Sequence, residues 1–198
     1  MFRTNKKIMG LALAAAVALP MGAYAATTNI EATANFLTAI TLGGEVNMDF
    51  GTIEFAALPG VGDTVTIGTD GTLAFAGTFT GAATGTAGGV DITAGTDTST
   101  VEVFCDASAT MTRVGGGSID VITIQADAEN ATSGAGAGNN CNGVGGAAAT
   151  TLVLNVGTLD TFNFGGQIDG ATAAAFVAGS YSTANAGGDN IQVDVFYQ

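Results

Sequence analysis

Histidine and tryptophan are both absent from the 198 residues. Without an imidazole, acid–base chemistry near neutral pH falls to carboxylates alone. No G-x-S-x-G elbow, phosphate-binding glycine loop or H-E-x-x-H motif occurs either. A carboxylate pair acting on a sugar would still be chemically possible. Here, however, the acids are scattered among turns, and the tryptophan that usually stacks on a sugar is missing. The sequence therefore predicts no enzyme, no catalytic residue and no cofactor.

Positive charge is nearly as scarce. Of four Lys and Arg residues, Arg3, Lys6 and Lys7 lie in the first seven positions, leaving Arg113 as the only base beyond residue 25. One base against seventeen acids gives residues 26–198 a net charge of −16. A chain this acidic repels nucleic acid and anionic membrane surfaces, so neither is expected as a partner.

Cysteine occurs twice, at Cys105 and Cys141. There is no third sulfur and no C-x-x-C, so a zinc or redox centre lacks ligands and no metal site is predicted. In an oxidising compartment the simplest outcome is a Cys105–Cys141 disulfide, the alternative being two free thiols. Closing that loop would stabilise the fold by about 3–4 kcal/mol in the chain-entropy view. The stretches "GTDGT", "GTDTS" and "GGDN" offer oxygen ligands in loops, yet none matches a calcium-binding pattern. Aspartate in such turns ordinarily bonds backbone. Asn130-Ala131-Thr132 is formally a glycosylation sequon, to which no role is assigned.

What the chain does have begins with its first residues. A basic start, the apolar stretch "IMGLALAAAVALPMG", and small residues at Ala23 and Ala25 describe a secretory signal, with cleavage expected after Ala25. No second apolar stretch approaches membrane length, so no transmembrane span is expected in the mature chain. Secretion and a place outside the cell or on its surface follow as the expected localisation.

Beyond the signal, apolar residues recur at period two almost everywhere, and no amphipathic helix of useful length is found. In "TNIEATANFLTAITL", residues 28–42, Ile30, Ala32, Ala34, Phe36, Ile40 and Leu42 fall on even positions, with Thr38 the only hydroxyl among them. That run is two or three times the length of an ordinary strand. "DTVTIGTDGTLAFAGTF" reads as a hairpin in which Asp70-Gly71 makes a type I′ turn. Further strands are predicted at 90–93, 100–105, 119–126, 150–156 and 161–164. The last, "NIQVDVFYQ", carries Ile191, Val193, Val195 and Tyr197 on one face. The segment 129–149 reads as loop, tied only at Cys141, and "TAAAFV" at 172–177 as a helical turn or a strand. About nine short strands with regular turn signals predict an all-β, antiparallel, immunoglobulin-like sandwich, with a jelly roll or small barrel as alternatives.

"MDFGTIEF" at 48–55, "VEVFCDASA" at 101–109, "AGSYS" at 178–182 and the terminal "IQVDVFYQ" resemble secreted bacterial pilin-like domains. These comprise subunits of archaic chaperone–usher pili, spore coat protein U-like proteins and a related family of unknown function. The resemblance departs in two places. An early cysteine common in those pilins is missing near "FLTAITLGG", and "STANAGGDN" lengthens the approach to the last strand.

The resemblance implies a sandwich that lacks one strand, leaving an apolar groove between the first strand segment and the last. The N-terminal extension of a neighbouring subunit would fill it. Residues 26–36 would be that extension, with Ile30, Ala32, Ala34 and Phe36 as its plugs, and residues 37–198 the domain. Leu37–Leu42 would open the domain's own first strand, and Ile191, Val193, Val195 and Tyr197 would form one groove wall. The implied function is a structural subunit of a filament or surface coat, polymerising by donor-strand exchange. Its partners would be copies of itself, with a periplasmic chaperone and an outer-membrane usher. The alternative is a monomeric secreted β-sandwich that binds a glycan or calcium.

Overall fold

A computed structural model describes residues 31, 33–128, 133–143, 145–155, 160–170 and 176–198. The signal segment 1–25, Ile30, Ala32 and most of "TAAAFV" lie outside the described residues. The chain divides into two compact units, Met1–Asn35 and Phe36–Gln198, and every strand named here belongs to the second.

The protein is an all-β antiparallel sandwich. Its first seven strands are β1 (Thr41–Val46), β2 (Ile53–Phe55), β3 (Thr64–Ile67), β4 (Leu73–Ala76), β5 (Phe79–Gly81), β6 (Gly88–Ala94) and β7 (Thr100–Cys105). The next seven are β8 (Ala109–Arg113), β9 (Ser118–Ala128), β10 (Asn139–Asn140), β11 (Thr150–Val153), β12 (Asp160–Asp169), β13 (Tyr181–Ser182) and β14 (Val193–Tyr197). The large sheet runs β1-β6-β12-β9-β8-β13, with β10 on β9 and the β3–β4 hairpin on β12. The small sheet is β11-β7-β14, and β2 pairs with β5. Among the described residues no helix is long and apolar enough to cross a membrane.

The period-two residues explain this arrangement. On β7, Val101, Val103 and Cys105 are buried while Thr100, Glu102 and Phe104 are half-buried on the other face. Phe162, Phe164 and Ile168 of β12 join Val90 and Ile92 of β6 in the same core. Each such side chain contributes roughly 1.5–3 kcal/mol by leaving water. β12 is long enough to serve two partners on one side: Asp160–Phe164 pairs with β6 and Gly166–Asp169 with β3. Gly165 sits where these partners change over, and a Cβ there would strike the Ile67 carbonyl.

Several expectations change in detail. The first strand is Thr41–Val46 rather than 37–42, and Leu37 is exposed. Beyond Val46, which ends β1, residues 47–50 form only an isolated bridge, Asp49 to Thr86. The hairpin exists, with Val65, Ile67 and Leu73 buried, but its turn is not type I′. Type I′ needs positive φ at both central residues, and of the pair only Gly71 has it, at 80°. Asp70 instead accepts both the Thr72 amide (2.9 Å) and the Thr72 hydroxyl (2.6 Å), so the side chain shapes the loop. The hydroxyl first, then the amide, holds the Asp70 carboxyl below the usual aspartate range.

The segment expected to be slack is pinned along much of its length. β10 pairs with β9, and the Cys141 amide donates to the Ile124 carbonyl at 2.8 Å. Asn139 and Asn140 thereby extend the sheet beside β9, and Gly138 lies against Gln125, Asp127 and Thr69, so that 133–141 roofs this part of the strand. Beneath that roof Asp127, 4 % exposed, accepts the Thr69 hydroxyl at 2.7 Å and the Asn139 amide at 3.0 Å. Gln125 donates to Asn140 at 3.1 Å. Cys105 and Cys141 form a disulfide with Cα atoms 5.1 Å apart, joining β7 to the end of this roof.

Candidate strand-docking groove

β1 and β14 end their respective sheets, each paired on one side only among the described residues. Both are short, and neither carries a lysine. β14 places its predicted wall as expected for one face of a strand. Val193, Val195 and Tyr197 lie opposite Cys105, Val103 and Val101 of β7, all three of which are buried. Yet Val193, Val195 and Tyr197 are themselves only half-buried, as is Ile191, which precedes the strand. Pairing covers one flank of β14 and leaves the other open.

At one end the two edges are tied together. The Tyr197 hydroxyl donates to the Thr38 carbonyl and accepts the Thr96 amide, each at 2.6 Å. At the other end they part around a cavity of about 580 Å³. Leu42, Val46 and Met48 line one side, Ile191 and Val193 the other, and Val90, Val121 and Phe164 lie at its floor. A second cavity of about 520 Å³ shares Met48, Phe50, Met111 and Tyr181 with the first and reaches Phe55 and Phe176. Together they make a trough along the inside of the large sheet.

The far end is aromatic. Phe176 packs against Phe55, Phe79 and Tyr181 with ring centroids 5.6, 5.4 and 6.3 Å apart. The Tyr181 hydroxyl donates to the Val177 carbonyl at 2.9 Å, which fixes that ring at the junction of the two cavities. Chemically the trough offers mixed polar and apolar surface over an apolar floor and, along β1 and β14, unpaired strand flanks. It can take an extended apolar segment by backbone pairing plus side-chain insertion. Among the described residues no group of three or more His, Cys, Asp or Glu gathers where it could hold a metal ion.

Of the expected donor residues, Ile30 and Ala32 lie outside the described residues. Ala34 is exposed, and Phe36 is 90 % exposed. Residues 33–40 belong to no strand. Met111, Phe176 and Tyr181 were not foreseen as groove residues. The stretches "AGSYS" and "TAAAFV" are the only signals near any of them, because the trough gathers positions from β1, β8, β13 and β14 that share no local period.

No protein-family model, curated protein or solved structure matches the chain.

Proposed function

We propose that this chain is a structural subunit of an extracellular filament or surface coat, polymerising by donor-strand exchange. One observation carries the reading: a trough floored by Val90, Val121 and Phe164 opens between the free flanks of the two edge strands, β1 and β14, in a chain whose Phe36 side chain is almost fully solvent-exposed. The occupant is residues 28–36 of a second copy, with Ile30, Ala32, Ala34 and Phe36 turned into the trough. Burial of Ile30 and Phe36 would contribute roughly 1.5–3 kcal/mol each. Each new backbone hydrogen bond would add about 0.5–1.5 kcal/mol. Strand addition would also close edges that otherwise invite random pairing. On this reading the role is structural, not enzymatic. Assembly takes place outside the cytoplasm, after the signal is removed, and a periplasmic chaperone and an outer-membrane usher are the expected assistants.

The test is deletion of residues 26–36 from the exported chain, with filaments sought by electron microscopy. The reading predicts none. Filaments of unchanged number and form would contradict it.

A second reading is favoured by a different surface. On the outer face of the small sheet, Phe104 and Phe196 meet edge-to-face at 5.7 Å, and Phe196 is 54 % exposed beside Glu102, its ladder partner. An exposed aromatic beside a carboxylate suits a sugar ring, so this face would serve a monomeric glycan-binding module. Gel filtration with light scattering separates the two: a stable monomer supports the module, and concentration-dependent oligomers support the filament.

A further inference from the structure

Thr38 belongs to no strand, yet both of its backbone groups are committed. Its amide donates to the Thr96 hydroxyl at 2.6 Å, and its carbonyl accepts the Tyr197 hydroxyl at 2.6 Å. Tyr197 also accepts the Thr96 amide, so the three residues close a ring of hydrogen bonds. Thr41 then opens the ladder of β1 with β6. The Tyr197 side chain thus spans the gap between the two edges at one end. The larger cavity of the trough begins past it, at Leu42 and Val193, and extends away toward Met48 and Ile191.

Strand exchange requires that the head of the chain stay out of its own trough. A tethered segment reaches an effective concentration in the millimolar range when its tether can span the distance, and close to zero when it cannot. A long enough tether would therefore let self-filling outcompete a second copy. Held at Thr38, the tether is too short. The four residues back to Ala34 extend at most roughly 14 Å, whereas Ile191, six residues before Tyr197, lies roughly 20 Å away along the strand direction. A tight reversal at 36–38 is closed off as well, because its hydrogen bonds would need the Thr38 groups already taken. Held instead at Thr41, the seven residues back to Ala34 would reach roughly 24 Å and cover the distance.

We infer that Thr38, Thr96 and Tyr197 form a clasp that keeps residues 28–36 out of their own trough and so reserves the trough for a second copy. The inference rests on the strand-exchange reading. The clasp acts through tether length: releasing Thr38 moves the last fixed point to Thr41 and brings the domain's own trough within range.

The experiment places Ala34→Cys and Ile191→Cys in one exported chain and maps the disulfides by mass spectrometry in dilute monomer. The clasp is either intact, weakened by Tyr197→Phe, or removed by Tyr197→Phe with Thr96→Ala. Melting curves identify the variants that fold, and Thr96→Ala alone serves if the double release does not. Release is expected to raise the fraction linked within one molecule by roughly tenfold, the scale of one or two hydrogen bonds. Filament yield should fall in the same order. An unchanged within-molecule fraction in folded, released chains would overturn the clasp and leave strand exchange standing. Efficient linking within the molecule while the clasp is intact would overturn the clasp and strand exchange together.

Discussion

Four successive residues of β9, Ile124 to Asp127, are buried, whereas none of the five residues of β14 is. Composition does not separate the two strands, since "IQAD" and "VDVFY" both mix apolar residues with an aspartate. Position in the sheet does. β9 has neighbours on both flanks and a roof over part of its length, so even its polar groups are enclosed and bonded: Asp127 to Thr69 and Asn139, Gln125 to Asn140. Among the described residues β14 has one ladder neighbour. One strand has every interaction supplied by its own chain. The other presents an open flank and half-covered side chains at the rim of a trough.

The largest effect should come from breaking the closed side. Phe162 is fully buried between β6 and β9, and Phe162→Ala should cost about 3–5 kcal/mol. Val195→Ala on β14 should cost about 1 kcal/mol or less, because the side chain is only half-buried. Urea unfolding of the two variants measures the contrast. Similar losses would mean that β14 is as enclosed as the centre.

Removing the disulfide comes next. Cys105→Ala with Cys141→Ala should cost about 3–4 kcal/mol for a loop of 36 residues. Because the bond anchors the roof, amide exchange should quicken at 133–141 before it quickens on β14.

A smaller change goes the other way. Thr123 has φ of 51° in the middle of β9, where the ladder with β12 shifts register, and it is exposed. A β-branched residue is strained there, so Thr123→Gly should stabilise by about 1 kcal/mol. A lowered melting temperature would show that the threonine side chain contributes something the backbone geometry hides.

The mildest effect is that of acid. The Gly60 amide first, then the Thr78 hydroxyl, hold the Asp63 carboxyl below its ordinary range, and Asp70 is lowered by Thr72. A lowered native value means stability that is complete above the unfolded value, about 3.9, and lost as pH falls through the native one. Thermal stability should therefore be flat from neutral pH to about pH 5 and decline below about pH 4. Decline beginning near pH 6 would point to other groups.

Much of the closed side can be read from period two alone. The span 100–105 is predicted as a strand and found as β7, and Val65, Ile67 and Leu73 are buried as their alternation requires. Alternation reports a strand with one covered face and says little about what covers it. The roof at 133–141 is written in Gly, Ala and Asn, which read as loop. Its order comes from bonds such as Thr69 to Asp127, 58 residues apart, that no local pattern encodes. The trough is hidden for the same reason. Ile191, Val193, Val195 and Tyr197 announce one wall, while Met111 and Tyr181 reach it only through the order of strands in the large sheet.

The central claim is that residues 28–36 complete a second copy rather than their own domain. Mixing two exported variants, Ala34→Cys in one and Ile191→Cys in the other, and identifying disulfide-linked species by mass spectrometry, tests it most directly. The account predicts a linked pair joining the two different variants, formed in assembled material. A cross-link formed within single dilute molecules carrying both cysteines, and none between copies, would contradict it.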